Sequence, residues 1–235
     1  MSSKEKNILF FLPSNQSHKI NLSLNVKDIK IFYEKFENEK ISVNYITYKG
    51  EKPYLNYENT ESIIDWIKNN ESKINSCENL EEIKDISKYG GIVLPSFINV
   101  FEYIKSDNLH YLLNLIKKFQ DKKKIIVAYE HSVLFLCKVE EENSWPFIGY
   151  NLTGSSITNI LINDLYENGE ICEEEIALKG GNYISKDNID SFDSNSNNVL
   201  VISDKNIITG YDSSKETLSV IALCFIEKIK FLNNK

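Results

Sequence analysis

The chain has 235 residues, 42% of them apolar and 26% charged, which suits a folded globular protein with one sizeable hydrophobic core. A net charge of −7 argues against non-specific nucleic-acid binding, which needs cationic surface to displace counterions. The sequence contains no arginine, so bidentate guanidinium clamps on phosphate or carboxylate are absent.

The four cysteines, Cys77, Cys137, Cys172 and Cys224, form no CxxC pair, and the three histidines, His18, His110 and His131, show no zinc-site spacing. No metal or other cofactor is expected. MSSKEK at the start lacks the apolar core of a signal peptide, and no apolar run approaches 18 residues. These features predict a cytoplasmic protein with reduced thiols and no transmembrane segment.

In chain order, NILFFL (7–12) is a continuous apolar run, the pattern of a strand covered on both faces. PSNQS (13–17) breaks it. Ile29, Phe32, Tyr33 and Phe36 follow at helical spacing, and Ile41, Val43 and Tyr45 alternate as a second strand. KGEKP (49–53) is a turn. Residues 54–88 are polar and read as a surface excursion with one helix around Ile63, Ile64 and Ile67. YGGIVLP (89–95) is the next buried strand. Leu109, Leu112, Leu113 and Ile116 then mark an amphipathic helix.

KKKIIVAYEHSVLFL (122–136) reads as strand, sharp corner and helix start. Helices are expected over 156–166 and 173–179. The runs 199–203 and 207–209 flank the turn DKN (204–206) as a hairpin, and a last helix spans 214–231. DSNSNN (193–198) is a short polar loop. The alternation predicts a three-layer α/β/α sandwich of flavodoxin-like type around a mainly parallel sheet, in a single domain over 1–235. Ligands in such sheets bind beyond the carboxyl ends of the strands. Those ends are 13–18, 95–98 and 129–132.

Four stretches carry a resemblance to the ThiJ/PfpI superfamily of class I glutamine amidotransferase-like domains: YGGIVLPS (89–96), KIIVAYEH (124–131), EIALKGGNY (175–183) and VLVISDKNIITG (199–210) followed by Ser213 and Ser214. The segment SWPFIGYNLTGS (144–155), with DWI (65–67) and LPS (94–96), resembles the branch of glutamine amidotransferase-like class 1 domain-containing protein 1. The superfamily resemblance implies a nucleophile-elbow-type turn at 129–131 and activities of glutathione-independent glyoxalase (methylglyoxal to lactate), deglycase or peptidase type. The branch resemblance implies an elbow already without cysteine and a role as subunit of an early-endosomal complex, and relatives are commonly homo-oligomers.

Aligned on the strand, Glu130 occupies the position where the superfamily's chemistry needs a thiolate. A carboxylate is a poor nucleophile toward aldehydes and amides, so the exchange removes the covalent step. The reading therefore leans toward a non-catalytic protein, with glyoxalase- or deglycase-type turnover as the alternative. His131 matches the histidine that follows the cysteine in peptidase-like members. It is either a general acid–base partnered by Glu130 or a histidine satisfied by a local carbonyl. Glu130 is either a simple helix-start carboxylate or a permanent mimic of an oxidised cysteine's charge.

Ser96 and Phe97 stand where relatives have the glycines of the oxyanion turn, and Phe97 narrows the approach. His18, Ser132, Thr153 and Ser155 are further candidates for the crevice lining. Thr153-Gly154-Ser155 equally fits a cap for the next helix. Ser132 and Ser155 lack any GxSxG context. Cys137 reads as apolar filler, Cys224 as core, and Cys77 and Cys172 as members of acidic, polar segments. Tyr54, Tyr57 and Trp66 are candidate aromatic anchors for a partner, or local packing beneath a loop.

Overall fold

The structure, a computed structural model, describes residues 7–14, 22–140, 144–156, 170–186 and 199–233. Its centre is a seven-stranded sheet in the order β10-β11-β7-β6-β1-β3-β5. These strands are β1 (Asn7–Phe11), β3 (Ser42–Thr47), β5 (Glu78–Asn79), β6 (Tyr89–Leu94), β7 (Ile125–Tyr129), β10 (Val201–Asp204) and β11 (Ile207–Gly210). All neighbours are parallel except β10 and β11, which form the expected antiparallel hairpin. The apolar runs in β1, β6 and β7 are the central strands, and almost every residue in them is buried.

The chain moves from β1 to β3 in one direction along the sheet and from β6 to β7 in the other. Right-handed crossovers therefore put α1 (Val26–Asn38) and α4 (Leu109–Asp121) on opposite faces. The Asn25 side chain caps α1 by accepting from the Lys27 N–H at 2.9 Å. The buried stripe Ile29, Phe32 and Phe36 packs toward the C-terminal helix α7 (Lys215–Asn233), with the Phe36 and Phe225 rings 5.2 Å apart.

Gly91 in β6 lets that helix approach the sheet. A Cβ there would lie 2.7 Å from both the Ile125 carbonyl oxygen and the Phe225 ring. Gly91→Ala is expected to lower stability by about 1–3 kcal/mol, because backbone stands on one side and a buried ring on the other. A urea midpoint unchanged from the parent would refute this close contact.

Residues 54–88 are not a detached surface excursion. Helix α2 (Glu61–Ile74) lays Trp66 against Tyr33 of α1, with ring centroids 5.7 Å apart, and β5 extends the sheet beyond β3. Leu80, Ile83 and Ile86 are buried. Apolar residues are sparse here because each element shows the core only one narrow face. Trp66 therefore belongs to the core, whereas Tyr54 and Tyr57 are exposed.

Two short ladders complete the fold: β2 (Leu24–Asn25) with β4 (Leu55–Asn56), and β8 (Asn151–Leu152) with β9 (Asn182–Tyr183). Helix α3 (Val100–Ile104) follows β6, and α5 (Leu134–Cys137) follows β7 after a single 3₁₀ turn. Helix α6 (Cys172–Leu178) ends at Gly180, whose φ of +81° suits the left-handed position after a helix. The helix expected over 156–166 and the polar loop 193–198 fall on residues outside those described, apart from Ser156.

Candidate functional site

Strand β7 ends at Tyr129, and the chain turns at Glu130 with φ +56°. A left-handed backbone on a non-glycine residue is sparsely populated, and its placement between strand and helix is the geometry of a nucleophile elbow. The turn is tied down from below. The Tyr129 N–H donates to Ser132 Oγ at 3.0 Å, and that oxygen lies 2.7 Å from the Leu94 carbonyl and 2.8 Å from the Tyr129 carbonyl as acceptors for its proton.

The Glu130 side chain is 28% exposed and faces a crevice of about 570 Å³ at the carboxyl edge of the sheet. Ser96, Phe97 and Phe101 form one wall, while Ser23, Asn25 and Asp28 come from the other side of the topological switch beside β1. The β2–β4 ladder and the bridge between Ser23 and Ile98 hold that second wall in place.

His131 Nδ1 lies 3.4 Å from Glu130 Oε1, and the ring packs edge-on against Phe101 at 5.1 Å. Nε2 of His131 is buried and has no hydrogen-bond partner among the described residues. The imidazole therefore meets the crevice beside Glu130 rather than through a free outer nitrogen. Phe97 is largely buried between Phe11, Tyr103 and Phe135, so it shapes the floor more than it blocks the mouth.

Asp28 joins this site although the sequence reading passed over it. It sits on the buried stripe of α1, four residues before Phe32, and lines the crevice. Its carboxyl is pushed up to about 7, first by burial and then by the negative charge of Glu130; the Tyr129 hydroxyl and Lys27 pull the other way. That hydroxyl donates to Asp28 Oδ2 at 3.3 Å. Burial, with the neighbouring carboxylates, holds the Tyr129 phenol far above its ordinary range. An acidic residue in step with Phe32 and Phe36 was the available signal, because a carboxyl on an apolar stripe needs a partner.

Ser132, Thr153 and Ser155 do not line the crevice; all three are fully buried. The Ser155 N–H donates to the Glu130 carbonyl at 3.4 Å, so this segment backs the elbow from behind. Gly154 packs tightly there: a Cβ would lie 3.1 Å from Glu130 O, Cys172 Sγ and Val133 Cβ, each of which would have to give by a few tenths of an ångström. His18 lies outside the described residues.

The thiolate is disfavoured at Cys172, here by burial. Despite its acidic sequence context the residue is fully buried, and its thiol points at the Glu130 carbonyl 3.6 Å away. Burial raises that thiol well above its ordinary value and pushes Cys137 up to about 12. Cys77 is likewise raised to about 11 by burial, and Cys224 is raised by burial as well. None of the four cysteines lines the crevice. Among the described residues no cluster of His, Cys, Asp and Glu could hold a metal ion, and no helix is long and apolar enough to cross a membrane.

No protein-family model matches the chain. Curated proteins named glutamine amidotransferase-like class 1 domain-containing protein 1 do, from four vertebrates. The human protein is 25% identical over 168 residues, 71% of this chain and 72% of its own length. The Xenopus laevis protein is 28% identical over 149 residues, 62% of this chain and 61% of its own length.

Among solved structures, the Francisella tularensis Rapid Encystment Protein 24 kDa aligns with a TM-score of 0.74 at 17% identity, covering 95% of this chain and 99% of that one. Glyoxalase III from Candida albicans aligns at 0.71 with 13% identity over 94% of this chain and 96% of its own. A ThiJ/PfpI domain protein from Brachyspira murdochii aligns at 0.60 with 12% identity over 97% and 98%. The chain has the ThiJ/PfpI fold. In this ThiJ/PfpI-fold chain the turn after β7 is built from Tyr129, Glu130 and His131, with the Glu130 carboxylate at its corner.

Proposed function

We propose that this protein is a non-catalytic ThiJ/PfpI-like protein of one domain, working as a subunit or small-ligand-binding module. The observation that carries the proposal is the occupant of the elbow: Glu130, at φ +56°, fills the strained position, and no thiol reaches the crevice. Without a polarisable nucleophile there is no durable adduct with an aldehyde carbon, because a carboxylate ester of a hydrate collapses back to its components. The crevice remains as a preformed pocket of ligand size. The subunit role is what the branch resemblance implies, and the similarity to glutamine amidotransferase-like class 1 domain-containing protein 1 supports that branch. The cytoplasmic setting, read from the sequence, and the early-endosomal complex and homo-oligomer that the resemblance implies form part of the same proposal.

A second reading keeps glyoxalase-type turnover through proton transfers by Glu130 and His131. Their 3.4 Å separation and the overall likeness to Candida albicans glyoxalase III favour it. Lactate formation from methylglyoxal by metal-free protein separates the two. The expected result is a rate equal to the protein-free background. Turnover that Glu130→Gln or His131→Ala abolishes would overturn the non-catalytic reading.

A further inference from the structure

The amino edge of the sheet, opposite the elbow, carries a surface of different chemistry. The loop before β6, the turn before β7, the β10–β11 turn and the end of α7 all meet there. Two adjoining concavities of about 590 and 610 Å³ share Lys123 and Leu232. Lys84, Lys118, Lys122, Lys123 and Lys124 line the first, and Lys205 and Lys228 add to the second. Among the described residues, the carboxylates in the lining are Asp85 and Asp121. Ser87 engages the first through its N–H and hydroxyl, and Lys117 pairs with the second. On a chain of net charge −7 this is a concentrated positive field.

Four of the seven lysines are held in place. Lys118 Nζ donates to the Ile83 carbonyl at 3.0 Å, Lys124 Nζ to the Tyr89 carbonyl, and Lys228 Nζ to the Lys205 carbonyl. Lys205 Nζ stands 3.8 Å over the Tyr150 ring. A carbonyl fixes an ammonium without cancelling its charge, so less side-chain entropy is lost when an anion binds. Lys123 and Lys205 both occupy left-handed turn positions, at φ +51° and +49°. Phe231 and Leu232, 61% and 40% exposed, project beside these charges.

We propose that this groove docks an acidic segment of a partner protein bearing apolar anchor residues. Charge complementarity selects carboxylates, and Phe231 with Leu232 supplies the apolar contact. The charged groups line the walls of concavities, which a side chain or a short segment enters and a bilayer does not. The site lies across the sheet from Glu130 and does not depend on whether the elbow is silent.

Fluorescence anisotropy of the full chain with a labelled glutamate-rich peptide carrying two leucines one helical turn apart tests this. Saturable binding that weakens with salt is expected. Lys84→Glu combined with Lys122→Glu, and separately Phe231→Ser, should weaken it at least about tenfold, while Glu130→Gln leaves it unchanged. The lysine substitutions are on exposed side chains and should leave the melting curve in place. Absence of saturable binding, equal binding by the charge-reversed variant, or tighter binding to phosphatidylserine vesicles or polyuridylate than to the peptide would overturn the proposal.

Discussion

Replacing Glu130 by cysteine is expected to create a thiol that iodoacetamide alkylates at least about tenfold faster than Cys77 or Cys137 near neutral pH. The native thiols are disfavoured by their surroundings: burial lifts Cys77 to about 11 and Cys137 to about 12, and Cys172 is fully enclosed behind the elbow. A thiol with an ordinary value near 8.5 would hold roughly three-hundredfold more thiolate than Cys77. Its lower intrinsic nucleophilicity takes back part of that gain. Position 130 also opens onto the crevice, whereas the native sulfurs do not. Peptide mapping after timed alkylation reads the order directly. If a native cysteine is modified first, position 130 is not an exposed elbow and the account of the site fails.

Asp28→Asn is expected to stabilise the protein at pH 8 by about 2–4 kcal/mol and to have little effect near pH 4. In the unfolded chain Asp28 loses its proton near 3.8, and in the folded protein burial and Glu130 hold the proton until about 7. Between those values the folded state binds more protons than the unfolded one. Stability therefore falls as pH rises through that window and levels off above it. Each unit of difference corresponds to about 1.4 kcal/mol, which sets an upper limit of about 4 kcal/mol. Asparagine keeps an acceptor for the Tyr129 hydroxyl without the charge. Urea unfolding of both proteins at the two pH values checks this; an equal difference at both would show that Asp28 titrates as an ordinary surface carboxyl.

The placement of Glu130 was legible because the apolar run IIVAY must be a buried strand, and a polar pair directly after it must lie at the strand's carboxyl end. The same logic located β1, β6, the helix over Leu109–Asp121 and the closing hairpin. The edge elements were not legible in this way. Strands β2, β4 and β5 have two residues each, too few for any period to show, and they exist through their neighbours' hydrogen bonds. The polar look of 54–88 concealed Trp66, Leu80 and Ile83, which reach the core singly.

The site's surroundings depended still more on long-range contacts. Thr153 and Ser155 looked like a mouth and form a backing instead, because that segment packs beneath the Glu130 carbonyl. Cys172 stands among glutamates in the sequence, yet it lies buried behind the elbow while those glutamates share its short helix. Local composition reports the average environment of a helix, not the face that one side chain takes.

By itself the sequence determined the layered α/β architecture, the corner after the central strand and the carboxylate standing on it, since each follows from periodicity and residue type within a few neighbours. Only the tertiary structure decided that Asp28 stands beside Glu130, that every cysteine is kept from the crevice, and that lysines from four separate segments share one groove. Those facts depend on chain segments far apart in sequence packing against one another, and burial and charge at a point are properties of that packing.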